Sequence, residues 1–210
     1  MLRNVAALAQ APATSRKPIV ILTASQANQL LAIVREDRLY ALYVCAISLG
    51  LRKGELLALE WSDIDFRKRT LKVNKQLQYL PGMGLVIKSP KTKSSYRTLP
   101  LPEIAFAALM KHKVNSTGSL IFATGNGTPF SGRNILRHFH SVLKKLDMPK
   151  MAFHNLRHSC ASFHLALGTN PKVVQELLGH GTIAITLSIY SHLLPGVSEE
   201  AAKNIDKIFT

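Results

Sequence analysis

Apolar residues follow two different periods along this chain, and the switch between them outlines the fold. In LTASQANQLLAIVRE, Leu30, Leu31 and Val34 recur at helical spacing, with Thr23 ahead of them and Gln26 at capping-box distance. A second apolar helix is predicted over 39–49, and after Gly50 a third over RKGELLALEW. Between residues 70 and 80 the period drops to two: Leu71, Val73, Leu77 and Tyr79 fall on alternate positions, and 85–87 follows after PGMG. That pattern predicts a hairpin, with YRTLPL (96–101) as a further strand. Helical spacing then returns over 103–113, 132–146, 154–167, 171–178, 183–193 and 198–208. The expected fold is mainly α with a small antiparallel β-sheet (α+β) that interrupts the helices. Neither an internal repeat nor a low-complexity tract interrupts the pattern.

With 210 residues, 47% of them hydrophobic, the chain can bury a sizeable core, and residues 21–210 are expected to form one domain. Residues 1–20 faintly imitate a secretory signal, but their apolar part is too short and interrupted, so a linker or tail is expected and the protein is placed in the cytoplasm. The longest apolar run, 39–51, is too short to span a bilayer and contains Ser48 and Gly50. Charge narrows the partners: 27 Lys and Arg against 12 Asp and Glu give a net charge of +15, which points first to nucleic acid and second to an anionic membrane surface. The two cysteines, Cys45 and Cys160, lie in apolar helical patterns, where a buried thiol is expected rather than a disulfide framework or a metal cluster.

The polar residues that break these patterns carry the chemistry. In AFHNLRHSCASF, His154 and Arg157 share a helix face. Their ordinary reading is a helix cap and a surface arginine with its charge in water. Arg52 and Glu55 lie one turn apart beside a glycine-bounded helix start, where a carboxylate can hold a guanidinium fork, although such spacing also describes a weak surface pair. Lys88, Lys91, Lys93 and Arg97 charge the hairpin arm, either to keep an edge strand soluble or to meet a phosphate. His180 follows a helix end and Tyr190 lies in the next helix; alone, each reads as a capping or partly buried residue.

Taken in order, these segments resemble one family. R-K-G-E-L-L-x-L-x-W with Asp63 following, a lysine on a hairpin ending in T-L-P-L, then H-N-L-R-H, L-L-G-H, and Tyr190 in I-Y-S-H are similar to the catalytic domain of tyrosine recombinases, the phage integrase family, from about residue 22 to 194. The resemblance implies the tyrosine recombinase catalytic-domain fold and site-specific recombination or integration. DNA strands would be cut and rejoined through a 3′-phosphotyrosine intermediate, without metal or ATP. Arg52 and Arg157 would clamp the scissile phosphate, His154 and His180 would complete its pocket, Glu55 would support the cluster, and Tyr190 would be the nucleophile. Lys91 would protonate the departing 5′-oxygen, with Lys93 on the same side of an extended strand as its alternative. Where the family often has an aspartate after the first histidine, this chain has Asn155, whose amide can still cap a helix start.

The chemistry needs these residue types. A phosphodiester gains charge on its equatorial oxygens at the transition state, which two guanidiniums neutralise. Tyrosine, protonated at neutral pH, needs a base or a strongly positive field, and His154 is the candidate base. No cofactor is implied. Double-stranded DNA is the implied partner, with a tetramer on DNA through the C-terminal segment, and accessory DNA-bending proteins are compatible with it. The opening residues resemble the linker that joins an upstream core-binding domain to this one, and that domain is expected outside these residues.

Three rival readings are weaker. His154 and His158 have the spacing of zinc ligands, but Asn155 stands where a hydrolase would carry glutamate. ELLGHGTIAITLSIY reads as a non-catalytic helix-turn-helix regulator, which leaves Arg52, Glu55 and the hairpin lysine unexplained and predicts no covalent intermediate. A type IB topoisomerase shares the tyrosine and arginine chemistry but uses additional chain to enclose DNA.

Overall fold

The computed structural model describes residues 20–90 and 92–190. Helix α1 (Ala24–Ile33) begins at the predicted capping box: the Thr23 hydroxyl accepts from the Gln26 amide, and the Gln26 side chain accepts from the Thr23 amide. Helix α2 (Tyr40–Leu49) is apolar on all sides and buries eight of its ten residues, which makes it the central helix. It ends at Gly50, whose left-handed backbone (φ 60°) turns the chain. A Cβ at Gly50 would lie 2.6 Å from Leu178 Cδ2, so this position needs glycine for both conformation and space.

The predicted third helix is much shorter than its pattern suggests. Only Lys53–Leu56 (α3) is helical. The run Leu56–Leu59 is buried at every position, which a continuing surface helix cannot achieve, and the chain unwinds into an extended path. There Glu60 bridges Leu120, and the Trp61 amide donates to the Ser119 carbonyl.

The period-two region also divides. Strand β1 (Ile64–Asp65) precedes β2 (Thr70–Val73), β3 (Gln76–Leu80), β4 (Gly84–Lys88) and β5 (Arg97–Pro100). Strand β2 is the centre of one antiparallel sheet, with Leu71 opposite both Ile64 and Leu99, while β3 and β4 form a separate hairpin that pairs Tyr79 with Leu85. The expected single small sheet is therefore two. The break falls at Asn74 and Lys75, where the Lys75 ammonium is held by Glu60 and the buried Asp63 and redirects the strand. The hairpin packs on α3 so closely that a Cβ on Gly54 would lie 2.8 Å from the Leu77 carbonyl oxygen.

Helices α4 (Glu103–Val114) and α5 (Gly132–Lys145) cover the core, with α6 (Asn155–Ala166), α7 (Pro171–Leu178) and α8 (Ile183–Tyr190) completing it. Asn155 does not cap α6: its amide donates to the Val20 carbonyl at 2.7 Å, while the Leu22 amide donates to Ser159 Oγ at 2.8 Å. Those two bonds strap the segment before α1 to α6. Helix α7 opens with an Asn170 cap and Pro171, then closes at left-handed Gly179 (φ 66°). Both cysteines are buried and free, as the apolar patterns around them required. None of the described helices is long and apolar enough to cross a membrane. The predicted helix 198–208 and the end of 183–193 lie outside the described residues, as does most of the predicted linker.

The glycine at the end of α2 gives a stability prediction. Gly82 has the same sign of φ (77°), and a Cβ there would meet nothing within 4 Å, so Gly82→Ala carries only the left-handed backbone cost. That cost is about 1 kcal/mol. Gly50→Ala adds the collision with Leu178 and should lose at least about 2 kcal/mol. Urea unfolding of the two variants side by side measures the difference, and equal losses would mean that the Gly50 site relaxes freely.

Candidate active site

Glu55, in the single turn of α3, is 2% exposed and is the organising anion of the site. Its carboxylate accepts from two guanidiniums and one backbone amide. Arg52 donates Nη1 to Oε1 at 2.7 Å and its backbone N–H to Oε2 at 2.8 Å. Arg97 donates Nη1 to Oε1 at 3.1 Å and Nη2 to Oε2 at 2.9 Å. Burial pushes the Glu55 carboxyl up, but the hydrogen bonds and charge of Arg97, followed by those of Arg52, outweigh it and hold the group below the usual carboxylate range.

Arg157 is not the surface arginine of the ordinary reading. It is 2% exposed, donates Nη1 to the Gly50 carbonyl at 2.8 Å, and donates Nη2 to the Leu178 carbonyl. Both acceptors lie at helix C-termini, where carbonyls lack helical partners and the helix dipole is negative. Three consecutive carbonyls at the end of α7 take one arginine each: Leu177 from Arg97 Nε (2.8 Å), Leu178 from Arg157, and Gly179 from Arg52 Nη2 (3.1 Å). Arg52 alone among the three has a substantially open side chain, 35% exposed against 6% for Arg97.

The histidines stand around this cationic floor. The rings of His154 and His158 meet edge to face at 4.8 Å, and His154 keeps an edge at the surface. Burial of the rest of the ring, then the charges of His158, Arg157 and Arg52, push His154 down to about 4. Burial followed by Arg157 and Arg52 pushes His180 to about 4 as well. His180 Nδ1 bonds the buried Thr186 hydroxyl at 3.0 Å, and Gln175 Nε2 donates to the His180 carbonyl at 3.0 Å, so α7 and α8 fix the ring together.

Arg52, Glu55, His154, Arg157 and His180, separated by up to 128 positions (180 − 52), are thus brought into one electrostatic cluster. Tyr190 closes α8 one turn after Thr186, but its side chain lies outside the described set. Lys91 lies outside the described residues. Lys93 begins a short 3₁₀ turn, Lys93–Ser95, so the extended strand assumed for pairing Lys91 with Lys93 does not persist there.

The sequence pattern places Arg97 on a charged, solvent-facing arm, and the structure corrects that. A signal for its burial exists: Arg97 and Leu99 share one face of β5, and Leu99 is in the core. The glycine of L-L-G-H is also explained, because a Cβ at Gly179 would lie 2.8 Å from the Ser94 carbonyl oxygen and 3.1 Å from Arg97 Nη1.

Residues 21–196 match the phage integrase family. The chain belongs to that family. It is 33% identical over 199 residues to a XerC-like tyrosine recombinase of Caldanaerobacter subterraneus, covering 84% of this chain and 51% of the relative. It is 28% identical over 195 residues to the transposase from transposon Tn916 of Enterococcus faecalis, covering 83% and 48%. Among solved structures, the Tn1549 transposon integrase in complex with circular intermediate DNA superposes with a TM-score of 0.81 at 28% identity, covering 90% of this chain and 68% of that one. The chain spans about half the length of the curated relatives it matches. The fold of the catalytic domain expected from the motifs is therefore the fold observed, mainly helical with small antiparallel sheets.

The depressed histidines predict how stability depends on pH. Because His154 and His180 titrate near 4 in the folded protein and near 6.5 when unfolded, the unfolded chain binds more protons between those values. Stability is complete above about pH 6.5 and falls as the pH drops toward 4, where protonation of the carboxylate of Glu55, held low in the fold, adds a further loss. Urea midpoints measured at several pH values should follow that slope, and it should flatten in His154→Gln. A flat wild-type profile would contradict the assignment of histidines held neutral by the fold.

Proposed function

We propose that residues 21–210 are the catalytic domain of a site-specific DNA recombinase or integrase, preceded by a linker over residues 1–20, and that Tyr190 is its nucleophile. One observation carries the reading: two guanidiniums, one buried and one partly open, are fixed by Glu55 and by helix-end carbonyls beside two neutral histidines. Such a cluster suits a phosphodiester whose transition state gains negative charge, and the arginines supply the neutralisation that a metal ion supplies in other phosphoryl-transfer sites.

In this mechanism the Tyr190 oxygen attacks phosphorus, the bond from phosphorus to the 5′-oxygen breaks, and a 3′-phosphotyrosine linkage forms. His154, neutral at pH 7 because its pKa is pushed to about 4, accepts the phenolic proton, and Lys91 gives one to the departing 5′-oxygen. Glu55 orients Arg52, and His180 adds a hydrogen bond to the phosphate. The new ester retains the energy of the broken one, so a 5′-hydroxyl from a second strand reverses the step without ATP.

Duplex DNA is the proposed partner, and the net charge of +15 supports it. A cleft of about 740 Å³ beside α3, lined by Lys53, Arg133 and Tyr79 among others, offers two cations and an aromatic face to a flanking backbone. Assembly as a tetramer on DNA through residues 198–208, an upstream core-binding domain, assistance from DNA-bending proteins, and action at the nucleoid in the cytoplasm belong to the same proposal. A helix-turn-helix regulator would use α7 and α8 alone. It has no need of a buried Glu55 holding two arginines.

Incubation with nicked suicide duplexes, drawn from a random-core pool, tests the reading. The wild type should give an SDS-resistant protein–DNA adduct, and Tyr190→Phe should give none while its DNA affinity stays within about three-fold of the wild type. An undiminished adduct in Tyr190→Phe would sink the assignment of the nucleophile. In the same binding assay, Lys53→Ala and Arg133→Ala should each lower the slope of log affinity against log salt by about 1. Unchanged slopes would exclude that cleft from the DNA surface.

A further inference from the structure

Glu55 binds two arginines, and only one of them faces outward. Arg97 is 6% exposed and uses its whole fork internally: Nη1 and Nη2 on Glu55, Nε on the Leu177 carbonyl, with Nη1 also reaching the Ser95 carbonyl at 3.2 Å. In this position its donors are committed to groups of the protein itself. Arg52 shares the same carboxylate but stays 35% exposed.

Charge balance gives the buried arginine a purpose. Arg52, Glu55 and Arg97 together carry one net positive charge. Without Arg97, Glu55 and Arg52 would form a neutral internal pair, and the field that Arg52 presents to an incoming phosphate would largely vanish. Geometry adds to this. Arg97 holds the Leu177 carbonyl two residues before the Gly179 carbonyl that anchors Arg52, so it also fixes the second support of the outward-facing fork.

We propose that Arg97 is a positioning residue for DNA cleavage, which neutralises Glu55 so that the charge of Arg52 remains available to the scissile phosphate. The proposal rests on the recombinase reading above and adds a residue that acts through Glu55 and Arg52.

The test compares single-turnover adduct formation, at saturating protein, on suicide duplexes with either a phosphate or a methylphosphonate at the scissile position. Methylphosphonate replaces one charged oxygen by a methyl group and so needs less cationic field. Arg97→Gln should slow cleavage of the phosphate substrate by about 30-fold or more, with DNA affinity within about three-fold of the wild type. Its ratio of phosphate to methylphosphonate rates should fall at least about ten-fold. The double variant Glu55→Gln/Arg97→Gln, in which Arg52 again has no uncompensated anion beside it, should return that ratio to within about three-fold of the wild type.

An arginine that merely held the fold together would slow both substrates equally and leave the ratio unchanged, and that result overturns the proposal. So does a double variant whose ratio stays as low as that of Arg97→Gln. Arg97→Lys keeps the charge with fewer donors and should hold the wild-type ratio; it serves as the measurement if Arg97→Gln does not fold, and a ten-fold lower ratio there is equally fatal. Absence of any adduct from the wild type on both substrates would instead overturn the recombinase reading itself.

Discussion

The C-terminal end of α7 is the constraint on which the site depends. A helix leaves its last carbonyls without helical partners, and here three in succession, Leu177, Leu178 and Gly179, each accept from a different arginine. Those arginines arrive from β5, α6 and the start of α3, so one helix end sets the relative position of three otherwise separate elements. The negative end of the helix dipole also offsets part of the cost of gathering three guanidiniums in a small volume. Glu55 offsets more of it, and is the buried carboxylate in contact with the cluster among the described residues.

Two glycines make this arrangement sterically feasible. Gly50 and Gly179 end α2 and α7 in the left-handed region, and a Cβ at either would meet a neighbour at under 3 Å. At Gly50 the neighbour is Leu178, on α7; at Gly179 it is the Ser94 carbonyl, on the approach to β5. The same turns deliver the carbonyls that Arg157 and Arg52 use. Helix termination, close packing and arginine placement are therefore one structural event, and a side chain added at either turn would disturb all three. Removing one partner from a buried charge cluster of this kind typically costs about 3–5 kcal/mol, because the group left behind remains desolvated.

The same crowding sets the protonation state of the site. Partial burial and the charges of the neighbouring arginines keep His154 and His180 neutral, so the positive charge of the cluster resides in groups that do not titrate near neutrality. Neutral imidazoles can accept protons or hydrogen bonds, while the guanidiniums supply a constant field. The positive field of the cluster is therefore insensitive to pH in the physiological range.

Local pattern was enough to reveal much of this. The capping box at Thr23, the all-apolar α2, the hairpin around PGMG and the Pro171 start of α7 are governed by contacts within a few residues, and they formed where the sequence placed them. The ordered motifs around Arg52, Glu55, His154, Arg157 and His180 likewise identified side chains that the fold assembles. What local pattern could not convey was anything decided by partners distant in sequence. The stretch from 70 to 80 alternates as one strand, yet Lys75, tied to Glu60 and Asp63, splits it between two sheets. Arg157 has the spacing of a surface arginine, yet carbonyls at two helix ends draw it into the interior. Arg97 resembles a solubilising charge on an arm until β5 pairs with β2 and turns it toward Glu55. The inventory of chemical groups and most of the short helices and strands were legible in the chain itself, because backbone propensity and periodicity are local. Which charges are buried against one another emerged only on folding, because that depends on helix ends and strand faces meeting across more than a hundred residues.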